Sequence, residues 1–196
     1  MIVGLTGASG AGKSSVARIF CAHGFFVVDL DQISREVYDQ WPTCVRELVA
    51  AFGPGILDAE GRVLRKELGG IVFRDKKKLD MLNRITHKYI LQQTYNVLYA
   101  HRGEDVLLDA PLLFESGLNR LCDITVCVVC PRGEKIRRIV QRDGLSQELA
   151  AARVSSQRPD SILVPLCDFT IHNTGSLETL KKRATALVEQ ILDDAR

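Results

Sequence analysis

Short apolar runs alternate with helical patterns along the chain. The runs fall at residues 2–6, 25–29, 105–109, 123–130 and 168–172, each of strand length. Helical spacing covers 13–23, 132–142, 146–157 and 176–193, and a longer helical stretch fills 42–101. Such alternation predicts a parallel sheet with helices on both faces. The last helical pattern places Leu177, Leu180, Ala184, Leu187, Val188, Ile191 and Leu192 on one stripe, as expected of a helix that covers a sheet. No internal repeat or low-complexity tract interrupts the pattern.

Two segments exceed a minimal strand-helix alternation. The first runs from Asp31 to His101, is broken by Gly53-Pro54-Gly55 and Gly69-Gly70, and carries Leu79, Leu82, Ile85 and Tyr89 on a long helix. Ligands of open α/β sheets bind beyond the carboxyl ends of the strands, so an excursion there can form a second substrate's site. The second runs from Arg132 to Arg158 and holds Arg132, Lys135, Arg137, Arg138, Arg142, Arg153 and Arg158 against only Glu134, Asp143 and Glu148. Two helices joined at Asp143-Gly144 with this excess of arginine read either as a solvated basic face or as a lid that closes over phosphates.

Composition narrows the class. A chain of 196 residues, 46% apolar, supports one sizeable α/β core with excursions. Its 26 basic and 24 acidic residues leave +2, which offers no global field for nucleic acid or an anionic membrane. No apolar stretch approaches the roughly 20 residues needed to cross a bilayer, and no basic leader with a cleavage site opens the chain, so a cytoplasmic location is expected. Six cysteines at irregular positions suit reduced thiols. Cys127 and Cys130 match C-x-x-C but lie in an apolar run that reads as a buried strand, where residues three apart point to opposite faces. They are expected to be core residues.

Candidate chemistry begins at Gly7–Ser14, G-A-S-G-A-G-K-S, directly after the first run. This is the complete phosphate-loop spacing G-x-x-x-x-G-K-[ST] between a strand and a helix. Glycines at 7, 10 and 12 let successive N–H groups wrap an anion, and the following helix adds the positive end of its dipole. Lys13 is then expected at the β and γ phosphates of a nucleoside triphosphate, and the Ser14 hydroxyl on Mg²⁺. The second strand ends V-V-D-L-D. Asp29 and Asp31 would share a side of it, so spacing does not choose between them as a base for an attacking hydroxyl. Either could instead cap a helix starting near Gln32. Asp109 ends the third strand, V-L-L-D-A-P-L-L-F-E, in the position of an acid that holds Mg²⁺ or its waters. After Pro111, Leu112, Leu113 and Phe114 read most simply as packing residues.

These strings together resemble the dephospho-coenzyme A kinase family over nearly the whole chain. The P-loop with Ser15, V-V-D-L-D, L-N-R-I-T-H (82–87), D-A-P-L-L-F-E (109–115), Q-R-D (141–143), A-R-V-S-S-Q (152–157) and N-T-G (173–175) carry the likeness. The resemblance implies a P-loop NTPase three-layer α/β/α fold with a parallel central sheet, a helical substrate-binding insert and an arginine-rich lid. It divides a single kinase domain into a core of 1–30, 102–131 and 168–196, an insert of 31–101 and a lid of 132–167. It implies phosphorylation of the ribose 3′-hydroxyl of dephospho-CoA by ATP and Mg²⁺, with no nucleic acid, membrane or obligate protein partner.

By position, the resemblance makes Asp31 the base and gives Lys13, Arg138 and Arg142 catalytic roles, the two arginines closing from the lid on phosphates or adenine. Gly10, Ala11, Gly12, Lys13, Ser14, Ser15, Arg142, Asn173 and Gly175 would hold ATP. Arg65, His87, Leu112, Arg153 and Gln157 would serve the acceptor with Asp31, and Ser14 and Asp109 the metal. The chain departs from the family pattern at Ser15 for threonine, at Lys88 for proline, where the start of its helix or the aim of His87 would change, and at His172 for an acid. His23 and His101, at helix ends, read as dipole partners. Another P-loop small-molecule kinase, of nucleoside monophosphate or shikimate type, and a nucleotide-dependent regulatory ATPase are the competing functions. The insert and its scattered arginines do not separate the first of these.

Overall fold

The structure, a computed structural model, describes residues 1–195. Five strands, β1 (Ile2–Thr6), β2 (Phe26–Asp29), β3 (Val106–Asp109), β4 (Ile124–Val129) and β5 (Phe169–His172), form one sheet in the order β2-β3-β1-β4-β5. All four pairings are parallel, so each connection must cross over through helix or insert. The central strands β1, β3 and β4 are buried on both faces, which is why they appear as unbroken apolar runs.

Helices α1 (Lys13–Ala22), α2 (Leu30–Gln40), α3 (Pro42–Phe52), α4 (Arg65–Val72) and α5 (Lys76–Ala100) follow in order. Then come α6 (Arg132–Asp143), α7 (Gln147–Ser155), α8 (Asp160–Leu163) and α9 (Leu177–Asp194). The fold is the three-layer α/β/α arrangement of P-loop kinases. The chain divides into two compact units, Met1–Asp29 with the chain from His101 onward, and Leu30–Ala100.

In the first unit, Val16, Ala17 and Phe20 of α1 and Leu180, Ala184, Val188 and Ile191 of α9 pack on one sheet face with Val3, Leu5, Val126 and Val128. Ser176 caps α9, its hydroxyl accepting the Thr179 N–H. Leu177, expected on the buried stripe, is 58% exposed because it occupies the first position of the helix, before the stripe meets the sheet. On the other face Cys127 and Val129 pack with Leu163 of α8. Cys130 joins the α1–α9 side, so the C-x-x-C pair points to opposite faces as the strand period requires.

Asp168, just before β5, accepts the Thr125 hydroxyl at 2.7 Å and the Thr125 N–H at 2.8 Å. These bonds hold its carboxyl below the usual carboxylate range. A lowered carboxyl adds stability above its unfolded pKa, about 3.9, and loses it as pH falls through the folded value. Asp168→Asn is therefore expected to unfold more readily than the parent at neutral pH, with the difference shrinking below about pH 4. Urea titrations at both pH values check this.

In the second unit, Val37 of α2, Cys44 and Leu48 of α3, Leu68 and Val72 of α4 and Tyr89 of α5 share a core with Ile56. Leu79, Leu82 and Ile85 pack against it, as their spacing predicts. The helical stretch of 42–101 resolves into three helices because Gly53-Pro54 ends α3 and residues 57–63 make a tight turn that brings Leu57 back to an antiparallel bridge with Val63. Lys88 lies at mid-helix in α5, which starts at Lys76, so its departure from the family pattern leaves the helix start untouched. Its ammonium instead donates to Glu47 of α3 at 2.6 Å, and the Tyr89 hydroxyl donates to the same carboxylate at 2.6 Å.

Candidate active site

The loop between β1 and α1 is shaped by close approach. Gly7, Gly10 and Gly12 take φ of 144°, 79° and 106°. A Cβ on Gly7 would overlap the Val128 carbonyl, on Gly10 it would lie 2.7 Å from the Lys135 carbonyl oxygen, and on Gly12 it would overlap the Asn173 amide. Each glycine is thus required twice, by its left-handed backbone and by a neighbour from β4, α6 or the segment after β5.

Those neighbours also take up the loop's polar groups. Arg138 of α6 donates to the Gly10 carbonyl at 3.3 Å, and the buried Asn173 amide donates to the Ala11 carbonyl at 2.7 Å. Arg138 donates in turn to Asn173 Oδ1 at 3.4 Å. With Gly10 and Ala11 carbonyls engaged from the protein side, the peptide N–H groups of the loop are free to turn toward an anion. The Ser9 and Ala11 N–H groups are the exceptions, donating to Gln157 Oε1 at 2.8 Å and to the Ala8 carbonyl at 3.0 Å. Lys13 and Ser14 stand in the first turn of α1, whose N-cap is Gly12. Here a lysine charge, a hydroxyl and the positive end of a helix dipole converge.

Asn173→Ala removes the donor to the Ala11 carbonyl and the acceptor of the Arg138 guanidinium. It is expected to destabilise the protein by about 2 kcal/mol, the usual cost of an orphaned buried polar group. Urea denaturation measures it, and nucleotide affinity should fall with it.

The carboxylates of the first unit end adjacent strands at one level. Asp29 of β2 pairs in register with Asp109 of β3, and Asp109 with Leu5 of β1. Registered residues of parallel strands project to the same face, so Asp29 and Asp109 form a pair beside the start of the phosphate loop. Asp31 is not on this strand. β2 ends at Asp29 and α2 begins at Leu30, which corrects the expectation that Asp29 and Asp31 share a strand face, and puts Asp31 in the first turn of a helix.

Arg142 and Arg153 meet on Asp143, at 2.7 and 2.9 Å for Arg142 and 2.8 Å for Arg153. Arg142 also reaches Ser9 Oγ at 3.5 Å. The remaining basic residues are spread. Lys135 is buried and paired with Asp160 of α8 at 2.6 Å, Arg158 pairs with Glu115, and Arg137 with Glu134. The basic segment therefore serves different ends: Arg138 and Arg142 contact the phosphate loop, whereas Lys135 ties α6 to α8 and Arg158 ties the chain after α7 to Glu115.

Other expected site residues are placed as follows. Gly175 has φ 106° in the turn after Asn173. Arg65 starts α4 with its guanidinium 5.0 Å from the Tyr38 ring, and His87 is exposed on α5. Leu112 is 63% exposed, so it does not pack as expected; Leu113 alone of the pair is buried. His23 donates to the Ile19 carbonyl at the end of α1, and His101 stacks on Phe26 at 3.5 Å. A cavity of about 460 Å³ opens at the carboxyl ends of β4 and β5, lined by Pro131, Arg132, Asp160, Ser161, His172 and Thr174.

In the sequence Asp143 is one of three acids in a basic segment and the last residue of Q-R-D, and neither fact names the partners it meets. The contacts of Gln157 and Asn173 with the loop join residues 148 and 162 positions apart, and no local pattern announces them.

The family model for dephospho-CoA kinase matches residues 1–179. A dephospho-CoA kinase of Corynebacterium diphtheriae is 40% identical over 189 residues, 95% of this chain and 94% of that protein. Among solved structures, a Thermus thermophilus protein superposes with a TM-score of 0.82 at 32% identity, covering 97% of each chain. Dephospho-CoA kinase from Campylobacter jejuni superposes at 0.67 with 26% identity, covering 97% of this chain and 96% of that one. With a complete phosphate loop, a registered carboxylate pair and a likeness running almost end to end, the chain belongs to the dephospho-CoA kinase family.

Proposed function

We propose that the protein transfers the γ-phosphoryl group of ATP to the ribose 3′-hydroxyl of dephospho-CoA, giving coenzyme A and ADP. The observation that carries this reading is the full-length family match joined to an intact phosphate loop. Gly10 to Ser15 cradle the β and γ phosphates, with Lys13 on their oxygens. The cavity at the ends of β4 and β5, bordered by the Asn173–Gly175 turn, takes the adenine.

Asp31 accepts the proton of the 3′-hydroxyl as that oxygen bonds to the γ phosphorus and the bond to the ADP oxygen breaks. Lys13, Arg138 and Arg142 offset the charge spread over the transferring group. Arg65, His87 and Leu112 serve the acceptor, and Arg153 and Gln157 support the lid, residues 132–167, that keeps water from the phosphorus. The insert of 31–101 is the acceptor-binding part. A hydroxyl on Ser14 and the paired carboxylates Asp29 and Asp109 are hard oxygen donors suited to Mg²⁺, held directly or through water. Held there, such an ion would supply positive charge against the phosphates. Six free thiols fit a reducing cytoplasm.

The test is an acceptor panel. The protein is incubated with Mg-ATP and dephospho-CoA, nucleoside monophosphates or shikimate, and ADP release is followed. Turnover with dephospho-CoA and little with the rest is expected. Equal rates with a nucleoside monophosphate, or ATP hydrolysis indifferent to any acceptor, would overturn it.

A further inference from the structure

We infer that Asp143 is a positioning residue, a carboxylate latch that holds Arg142 and Arg153 aimed for the triphosphate before it arrives. The inference rests on the kinase reading above. Its carboxylate accepts from Arg142 Nε at 2.7 Å on one oxygen, and from Arg142 Nη2 at 2.9 Å and Arg153 Nη1 at 2.8 Å on the other. One acid thus fixes two guanidiniums that belong to different helices, α6 and α7.

Helix stability does not explain this arrangement. Asp143 is the last residue of α6, where a carboxylate faces the negative end of the helix dipole. Residues adjacent in sequence do not stack along a helix face, so the Arg142–Asp143 fork is not a helix-supporting pair. The arrangement instead has direction. Arg142 Nη2 also lies 3.5 Å from Ser9 Oγ in the phosphate loop, so the guanidinium is turned to the loop while the acid grips it from behind. Nη1 of Arg142 and two nitrogens of Arg153 take no part in the latch and remain to donate to phosphate oxygens. An arginine so fixed loses less side-chain entropy when nucleotide binds, the effect of preorganisation. The Arg142 guanidinium, with that of Arg153, also holds the Asp143 carboxyl below the usual carboxylate range.

Steady-state kinetics with Mg-ATP and dephospho-CoA test the inference. Asp143→Asn keeps the shape and removes the charge. It is expected to lower kcat/KM for ATP about tenfold, as loss of an orienting partner does, with the KM for dephospho-CoA and the thermal midpoint of the free protein unchanged. Asp143→Glu should recover part of the loss. In an Arg142→Ala, Arg153→Ala background the same change should add no more than about twofold, since nothing remains to be held.

Wild-type kinetics in Asp143→Asn would overturn the latch. So would a lowered KM for ATP, which would mean that the carboxylate competes with phosphate for the arginines, or a full tenfold loss in the double-alanine background. Lys13→Ala, which has no part in the latch, separates the two levels. If that variant is inactive while Asp143→Asn behaves as wild type, the latch alone fails. If it turns over normally, the nucleotide reading falls and the latch with it.

Discussion

Replacing Lys13 by alanine is expected to lower kcat/KM for ATP by about a thousandfold, in line with the removal of one preorganised charge from a developing phosphoryl transition state. The fold survives the change. Lys13 begins α1 at a half-buried position, and the core of that helix is Val16, Ala17 and Phe20, which the substitution leaves in place. Circular dichroism and a urea midpoint close to the parent's, measured beside the kinetic loss, separate chemistry from folding. A variant that unfolds would assign Lys13 to structure. A variant of normal activity would remove the phosphate loop from the reaction.

Asp31→Asn gives the second large effect, a fall in kcat of about 10² to 10⁴ with little change in the KM for ATP. The amide is close in shape to the carboxylate and takes no proton from the hydroxyl. Asp31 is exposed in the first turn of α2, where a carboxylate also favours the helix dipole, so a small loss of stability accompanies the kinetic one. Near-normal turnover would shift the base to Asp29. Asp29 faces Asp109 in register, and its replacement would then alter the metal dependence of the rate as well.

The sheet was legible because its strands are short, parallel and enclosed by helices. Burial on both sides makes such strands contiguous apolar runs, and the observed ends fall within one residue of those runs at β1 through β5. The phosphate loop was equally legible, since its glycines answer a local need for left-handed backbone. Helix α2 was not. V-V-D-L-D continues the strand's composition, and five residues do not distinguish a period of two from one of 3.6; the turn into helix at Leu30 shows only in Leu30, Ile33 and Val37, which are buried together. The Asp143 latch, the Gln157 bond to Ser9 and the Asn173 bond to Ala11 were out of reach for another reason. Each joins a side chain to a partner fixed by tertiary packing, and composition is silent on which distant carbonyl a buried amide will meet.

The three phosphate-loop glycines each rest on a different later part of the chain: Gly7 on β4, Gly10 on α6 and Gly12 on Asn173. During synthesis the eight residues of the motif therefore leave the ribosome long before the surfaces that mould them. Until Asn173 has emerged and β5 has added itself to the edge of the sheet, the nascent loop lacks the donor that engages the Ala11 carbonyl, so its full set of supporting contacts comes with the last strand rather than with the first.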